Sequence, residues 1–418
     1  MIFRHSCKTR AARYLTAILM ATSVFSCAAA GEIPFEQLDR FAENVIRIKS
    51  REIGYPGNQN IQLTDFYQWY IKSGLHNTIM NNAGDPQSSH GGTNTHFFEE
   101  EVIDFFAPLY GFDKNDTWGI VTFSGTDGNN HGLYFGTQYL KAKTGKMPVV
   151  YVSEEAHYSI KRLADVQNLE LKLIPADAMG RMSAGEFEKA LDPSRPALVV
   201  IAMGTTFKGA VDNQKEIDDI LKRKKPVAVY RHLDAALFGG YLPFTEYRDL
   251  VNRKKNRFDS IAVSGHKFFG MDEPAGFFLT TRTVLENQNP YRIAYLNDSM
   301  PMINCSRSAL APLKLWWIMK KNGKEGFSEQ AGQILKSTRY LKQKLSELDY
   351  PHWINDYSNT IFFRRPAQWI MDKWHLAPEN DERFGGELAH IIVMQHVNSD
   401  TIDTFIRDLA SDKATAGK

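Results

Sequence analysis

Cysteine is nearly absent from this chain of 418 residues, which contains three. Two of them, Cys7 and Cys27, fall within the first 30 residues, so a chain cleaved there would keep only Cys305. A single thiol excludes an internal disulfide and leaves no cysteine pair to bind a metal ion. The sequence therefore predicts neither a disulfide framework nor a metal site built on cysteines.

An excess of charge of either sign is missing as well. The 50 Lys and Arg residues nearly balance the 48 Asp and Glu residues, which leaves a formal net charge of +2. No basic tract recurs along the chain, so nothing supports nucleic-acid binding. Internal repeats and low-complexity segments are also lacking. The composition is that of an ordinary globular protein, long enough for a large domain and a smaller one.

Long apolar runs are lacking except near the N-terminus, where residues 14–25 carry no charge. The basic residues that precede this run are Arg4, Lys8, Arg10 and Arg13. Ala28-Ala29-Ala30 follows it, which completes the order of a secretory signal peptide. The run is too short to favour a membrane-spanning helix. We therefore expect residues 1–30 to be a signal peptide and the mature protein to be periplasmic or secreted, without a membrane span. The alternative is an uncleaved extension on a cytoplasmic protein.

The remaining chain divides into three regions by its pattern of apolar residues. Residues 31–75 are predicted to form an N-terminal helical arm, whose apolar face packs on a partner subunit or on its own chain. Apolar strands alternate with helices over residues 76–300, which predicts an α/β domain with a mostly parallel sheet. Residues 301–418 combine long helices with a few strands, which predicts a smaller α+β domain.

A turn of small residues follows the predicted strand 118–123. It contains Gly125 and Thr126 and precedes a predicted helix over residues 133–141. A turn between a strand and a helix presents free backbone N–H groups, so it can bind an anion such as phosphate. Glycine-rich turns of this kind also occur for packing alone.

Two polar side chains stand at the ends of other predicted strands. His157 follows strand 148–152, at the edge where ligands collect in open α/β sheets, although a lone histidine there is more often a capping or core residue. Asp234 follows strand 227–230 and precedes two alanines. Because a buried carboxylate without a partner is costly, we expect Asp234 to meet a cation.

Lys267 lies in Ser264-Gly265-His266-Lys267, directly after the apolar strand 258–263. Taken alone, it is either a solvated turn lysine or a lysine that forms a Schiff base with a carbonyl cofactor. Pyridoxal phosphate needs a phosphate site, a carboxylate that keeps its pyridine nitrogen protonated, and an amine for its aldehyde. The Gly125 turn, Asp234 and Lys267 would meet these needs together, and His157 could stack on the ring. This combination favours pyridoxal 5'-phosphate as the cofactor.

Several short motifs carry a family resemblance over about residues 60–410. They are residues 81–86 (NNAGDP), 125–129 (GTDGN), 157–159 (HYS), 204–206 (GTT) with Asp212, 234–236 (DAA), 264–267 (SGHK) and 386–394 (GELAHIIVM). With these motifs the sequence resembles the pyridoxal-phosphate-dependent group II amino-acid decarboxylases. Within that group it is most similar to the bacterial histidine decarboxylases and the plant serine decarboxylases.

The resemblance implies the aspartate aminotransferase-like fold, fold type I of the pyridoxal-phosphate enzymes, and a homodimer or higher homo-oligomer. It implies three catalytic residues: Lys267 as the imine lysine, Asp234 as the partner of the pyridinium, and His157 stacked on the ring. It also implies the remaining contacts. These are Gly125, Thr126, Ser264 and His266 at the phosphate, Ala236 against the ring, Thr206 near the phenolic oxygen or the substrate carboxylate, and Asn82 facing the substrate.

The implied activity is decarboxylation of an L-amino acid to its amine and CO₂, with histidine as the leading substrate. Three alternatives stay open. The substrate could be serine or another small polar amino acid, the reaction could be transamination or β-elimination, and the protein could be a pseudoenzyme that binds the cofactor.

Two segments depart from the family pattern. Relatives carry a Pro-x-Pro-Cys-Gly-like run after the lysine, whereas this chain has Met-Asp-Glu-Pro-Ala-Gly at 271–276, with two acids near the predicted site. Relatives also carry Gly-Ser-Arg-Asn-Gly-His, and residues 305–310 keep only its Ser-Arg. We expect these segments to be where the substrate or the activity changes.

Overall fold

A computed structural model of the protein describes residues 33–88, 91–288, 291–294 and 298–416. The predicted signal peptide lies outside these residues and stays a prediction. The chain forms two compact units, which meet in sequence between Lys49 and Ser50. The described part of the first unit is helix α1 (Phe35–Lys49), which contains no buried residue.

The second unit contains a seven-stranded sheet. Its strands are β1 (Thr117–Thr122), β2 (Val149–Ser153), β3 (Glu170–Ile174), β4 (Ala197–Ala202), β5 (Val229–Asp234), β6 (Ser260–Ser264) and β7 (Gly276–Thr281). They lie in the order β1-β7-β6-β5-β4-β2-β3. Only β7 runs antiparallel to its neighbours, β1 and β6. The sheet is therefore mostly parallel, as the sequence predicts.

Helices cover both faces of this sheet. They are α2 (Thr64–Lys72), α3 (His96–Phe106), α4 (Gly125–Thr144), α5 (Ser159–Val166), α6 (Ala184–Ala190), α7 (Gln214–Lys224), α8 (Phe238–Tyr241) and α9 (Arg282–Leu285). Strand β4 shows why the strands are apolar throughout. Val199 and Ile201 enter one buried cluster, whereas the alternating Leu198 and Val200 enter the other. Because successive side chains point to opposite faces, a strand with two covered faces has no polar side.

Helix α4 lies unusually close to the sheet because three of its residues, spaced one turn apart, are glycines. A Cβ atom at Gly132 would lie 2.3 Å from the ring of His232 on β5. At Gly128 it would lie 2.8 Å from the Ala262 side chain, and at Gly136 2.5 Å from the Tyr230 ring. These glycines therefore let the helix begin directly above the carboxyl ends of the central strands.

The C-terminal part forms a separate α+β layer. It contains the short strands β8 (Tyr291–Ile293) and β9 (Asp298–Met300), then α10 (Leu310–Glu347), β10 (His352–Ile354), β11 (Thr360–Arg364), α11 (Gln368–Trp374), β12 (Ala377–Asp381), β13 (Gly386–Ile392) and α12 (Ser399–Ala416). Strands β10 to β13 form an antiparallel sheet in the order β10-β11-β13-β12. This confirms the predicted fold class, a mostly parallel α/β sheet with a smaller α+β part.

The elements of the C-terminal part match the prediction in one respect and differ in another. The two helices predicted after residue 309 are both present within α10, where the non-helical Gly323, with a φ of 59°, separates them. Strands β10 and β12 were not predicted, because β10 is short and β12 is polar and contains Pro378, which an edge strand tolerates. None of the described helices has both the length and the apolar character that crossing a bilayer requires.

Candidate active site

The carboxyl ends of five strands open onto one cavity of about 650 Å³. Parallel strands end at the same edge of a sheet, so residues far apart in sequence meet there. All but one of the predicted site residues line this cavity. They are Gly125, Thr126, His157, Thr206, Asp234, Ala236, Ser264, His266 and Lys267. The fold therefore brings these residues together as the motif pattern predicts.

The end of the cavity near Gly125 is suited to an anion. Ser124 caps helix α4, and its hydroxyl accepts a hydrogen bond from the Asp127 N–H at 3.2 Å. The helix begins at Gly125, earlier than the sequence predicts, so its first N–H groups border the cavity. A Cβ atom at Gly125 would lie 2.3 Å from the Ser264 hydroxyl oxygen. Only glycine leaves room there for both the turn and the Ser264 hydroxyl.

Asp234 is a buried carboxylate that faces the cavity without a cation. It ends strand β5, is 7% exposed, and accepts one long hydrogen bond of 3.4 Å from the Ala236 N–H. In the part of the chain that the structure describes, no lysine, arginine or histidine forms an ion pair with it. Such a carboxylate is costly unless a ligand supplies the missing positive charge. A protonated pyridine nitrogen is a ligand of this kind.

Lys267 lies in the connection between β6 and β7 and lines the same cavity. Burial lowers the pKa of its ammonium group, while the charge of Asp234 acts in the opposite direction. A lowered pKa increases the share of neutral amine, which is the form that attacks a carbonyl carbon. The side chain therefore suits a lysine that condenses with an aldehyde.

Two histidines border the cavity with one ring nitrogen occupied. The Nδ1 atom of His157 accepts from the Ser159 N–H at 3.3 Å and lies 2.8 Å from the Ser159 hydroxyl. The Nδ1 atom of His266 lies 3.0 Å from the Ala275 carbonyl oxygen and 3.3 Å from the Ala275 nitrogen. Burial is the main cause that lowers the pKa of both rings. His157 is thus a neutral, flat ring suited to stacking, and His266 keeps Nε2 for a ligand.

Asn82 is the predicted residue that the structure places elsewhere. Its side chain is fully buried, donates to Glu99 Oε2 at 2.9 Å and accepts from the Thr95 N–H at 2.8 Å. These bonds occupy the amide inside its own protomer, and Asn82 does not line the cavity. The expected contact between Asn82 and the substrate therefore has no support in this arrangement.

The altered segment after Lys267 contributes little charge to the cavity. Asp272 and Glu273 both form ion pairs with Lys314 of α10, at 2.9 and 3.1 Å. Tyr67 also donates to Asp272. Of these residues only the following Pro274 lines the cavity. The two acids thus closely follow Lys267 in the sequence, but they pair with Lys314 and do not line the cavity.

Several lining residues were not identified from the sequence. Tyr55, Phe207, Glu379 and His390 border the cavity from the segment after α1, the turn after β4, and strands β12 and β13. His390 belongs to a motif that supported the resemblance, but nothing local in the sequence placed it beside Phe207. Its ring stacks on that phenyl ring with a centroid distance of 4.5 Å.

The arrangement fits pyridoxal phosphate at each of its polar groups. The Gly125 turn, with Ser264 and His266, can hold the phosphate, unpaired Asp234 can hold the pyridinium, and Lys267 can reach the aldehyde. The fold and the site thus define a pyridoxal-phosphate enzyme.

Comparison with known proteins places the chain more narrowly. Residues 135–361, which include His157, Asp234 and Lys267, match the model of the pyridoxal-dependent decarboxylase conserved domain. Serine decarboxylase 1 of Oryza sativa subsp. japonica is 31% identical over 90% of this chain and 75% of its own length. The histidine decarboxylase of Solanum lycopersicum is 30% identical over 91% of both chains. The L-methionine decarboxylase of Streptomyces sp.590 has the same fold, with a TM-score of 0.80 at 21% identity over 92% of this chain and 97% of that one.

This protein belongs to the pyridoxal-dependent decarboxylase family. It is a pyridoxal-phosphate-dependent amino-acid decarboxylase, a carboxy-lyase whose substrate is a small molecule.

Proposed function

We propose that the protein decarboxylates L-histidine to histamine and CO₂. The observation that carries the proposal is one cavity that combines Asp234, which has no ion-pair partner among the described residues, and Lys267, whose pKa is lowered by burial, with an aromatic wall. Tyr55, Phe207 and His390 give that wall flat surfaces, which suit a planar imidazole ring. A cavity of about 650 Å³ also has room for a side chain larger than that of serine beside the cofactor.

In this proposal the cofactor supplies the electron sink, since its protonated ring accepts the electron pair that the departing CO₂ leaves behind. The chain supplies position and charge. Asp234 holds the proton on the pyridine nitrogen, His157 packs on the ring and excludes water from it, and the turn at Gly125 anchors the phosphate. Thr206 lines the same cavity as Lys267, and its hydroxyl can serve as a contact for the phenolic oxygen or the substrate.

The lining also favours decarboxylation over transamination. It contains no arginine in the part of the chain that the structure describes. A guanidinium would stabilise the α-carboxylate as a charged group through a bidentate ion pair, which opposes its conversion to neutral CO₂. A carboxylate without such a partner loses CO₂ at lower cost. Decarboxylation is therefore favoured over transamination.

Serine is the second candidate substrate. The relative Serine decarboxylase 1 and the relative Histidine decarboxylase have nearly equal identity to this chain, at 31% and 30%. The two substrates differ in size and shape, so turnover separates them directly.

We expect purified protein loaded with pyridoxal phosphate to release CO₂ from L-histidine with a kcat/KM at least about tenfold above that for L-serine, because one extra set of ring contacts is worth that much in a fitted pocket. The measurement is CO₂ release across a panel of L-amino acids. A preference for serine would replace histidine by the second candidate. No release from any amino acid would favour a pseudoenzyme that keeps the cofactor site.

We propose further that the protein is a homodimer in which α1 contacts the partner subunit. Five apolar side chains of α1 share one face and are exposed. They are Phe35, Leu38, Phe41, Val45 and Ile46. Three aromatic side chains of the second unit are exposed as well: Tyr158, which lines the cavity, Phe97 and Phe123. Apolar surfaces of this extent are typical of protein interfaces.

Phe41→Asp is expected to shift the protein from dimer towards monomer, because a carboxylate on the apolar face of α1 would have to be buried without a partner. Sedimentation velocity over a range of concentrations measures the change. Asn44→Asp adds the same charge to the polar side of the helix and serves as the control. A monomeric wild type, or equal behaviour of the two variants, would contradict the proposal.

A further inference from the structure

The small C-terminal sheet forms one wall of the cavity through its edge strand β12. Ala377, Pro378 and Glu379 of this strand line the cavity. In the antiparallel register Ala377 pairs with His390 and Glu379 with Leu388. Residues that pair directly, and residues two apart on one strand, share a face of the sheet. Glu379 therefore lies on the same face as His390, which is the face that borders the cavity.

A buried ion network holds β12 against the large sheet. Lys208, whose side chain is 1% exposed, pairs with Asp381 at the end of β12 at 2.6 Å and with Glu155 at 2.8 Å. Arg383 also binds Asp381, at 2.7 Å, and this bond with that of Lys208 holds the pKa of the Asp381 carboxyl well below its usual range. Because Asp381 is anchored, the position of Glu379 two residues earlier on the same face is well defined.

Apart from Asp234, which lies among the predicted cofactor residues, the other acids around the cavity differ from Glu379 because each bonds to another part of the chain. Asp381 and Glu155 are neutralised by Lys208 and Arg383. The Glu154 carboxylate, which also lines the cavity, accepts from the Ala176 N–H of another loop at 3.0 Å. The Glu379 carboxylate accepts at 3.0 Å only from the N–H of its own neighbour Asn380, and no cation among the described residues pairs with it. Because Glu379 is exposed, water solvates its charge in the free protein, and a cationic group that enters the cavity can replace that water without displacing a protein partner.

Glu379 is a diagonal neighbour of the lining residue His390, because it pairs with Leu388, two residues before His390 on the adjacent strand. Burial lowers the pKa of His390, whereas the bonds of its ring to the carbonyls of Phe207 and Gly54, and the charge of Glu379, act in the raising direction. A carboxylate that acts on a buried lining residue also acts on a ligand that lies against that residue.

We infer that Glu379 determines specificity by binding a positively charged group at the end of the substrate side chain. The substrate class is then the amino acids with a cationic side chain, of which protonated histidine fits the aromatic wall, rather than neutral ones such as serine. This inference rests on the proposed decarboxylase function and names the chemistry that selects its substrate. The α-carboxylate and the amine remain at the cofactor end of the cavity.

The test uses the full chain loaded with pyridoxal phosphate, as wild type, Glu379→Gln and Glu188→Gln. Glu188 is an exposed acid that pairs with Arg223, so its variant removes the same charge away from the cavity. CO₂ release from L-histidine is measured at pH 5.5 and 7.5, because free imidazole has a pKa near 6.5 and changes charge between these values. The competitive inhibition constant of 3-(thiazol-4-yl)-L-alanine is measured in parallel, since its ring has the shape of imidazole but stays neutral.

For the wild type and Glu188→Gln we expect a lower KM for histidine at pH 5.5 than at pH 7.5, and an inhibition constant for the thiazole analogue that does not follow this change. For Glu379→Gln we expect the KM for histidine at pH 5.5 to rise about tenfold, as for loss of a charged hydrogen bond. Its inhibition constant for the analogue should stay as in the wild type.

Histidine turnover with an unchanged KM in Glu379→Gln would overturn the inference and leave the decarboxylase function intact. Equal losses for histidine and the neutral analogue would overturn it too, since they indicate a general disturbance of the wall. Absence of CO₂ release from every amino acid by the wild type would instead overturn the proposed function itself.

Discussion

Lys267→Ala is expected to lower CO₂ release by a factor of about a thousand or more, which is the usual loss for a residue that acts covalently. The same variant is expected to lose the visible absorbance of the lysine-bound cofactor. Both effects follow from the position of the Lys267 amine in the cavity, with a pKa that burial lowers. Absorbance spectra after incubation with pyridoxal phosphate and CO₂ release with histidine measure the two effects.

Two further results make this prediction specific. Lys254→Ala removes an exposed lysine that pairs with Asp113, and it should leave both the spectrum and the activity unchanged. Lys267→Ala protein should still bind the cofactor non-covalently, since Asp234, Ser264 and the Gly125 turn are intact. A wild type that stays colourless, or a Lys267→Ala variant within tenfold of wild-type activity, would contradict the assignment of Lys267.

Arg307→Ala is expected to destabilise the protein by about 3–5 kcal/mol, because it leaves a buried charge without its partner. Arg307 and Glu99 form an ion pair whose side chains are 2% and 0% exposed. Glu99 accepts from the Val121 N–H at 2.7 Å, and Arg307 donates to the Val121 carbonyl at 3.2 Å. Since β1 is an edge strand, the pair takes the place of a further strand beside Val121. Urea unfolding followed by circular dichroism measures the loss.

One control for this prediction breaks an exposed ion pair, and the other removes both charges of the buried pair. Arg223→Ala breaks the exposed pair with Glu188 and should cost less than about 1 kcal/mol. Replacing both partners, as Glu99→Leu with Arg307→Met, should cost less than Arg307→Ala alone, because no buried charge is then left unpaired. Equal losses for Arg307→Ala and Arg223→Ala would refute the proposed role of the buried pair.

The buried ion pair also connects Asn82 with the altered segment at 305–310. Asn82 donates to Glu99, and its N–H donates to the Arg307 carbonyl at 3.1 Å. Ser306 accepts from Asn81 in the same region. The loop expected to face the substrate and the altered segment at 305–310 are thus joined to each other behind β1. Through Glu99 and Arg307 they contact β1, the strand that leads into the turn at Gly125.

The sequence by itself determined the parallel sheet and the residues that meet at its edge. Strand β4 is apolar at every position because both of its faces are covered, and an apolar run of this kind can be recognised from the local sequence alone. Gly125, His157, Asp234 and Lys267 each lie at the end of a strand or shortly after it, so a parallel order alone brings them to one edge. When a motif lies at the end of a strand, its position in the tertiary structure can therefore be predicted from the sequence.

Only the tertiary structure decided which distant side chains pair. Lys314, 42 residues after Asp272, pairs with an acid that lies near the predicted site in the sequence. Asn82 bonds to Glu99, and Glu379 reaches the cavity on a polar edge strand that no periodicity marks. The physical reason is that a local pattern specifies which face of an element is buried, whereas the partner of a charge depends on how separate elements pack. The residues of the proposed cofactor site could be inferred from motifs, whereas Glu379, which we propose selects the substrate, could not.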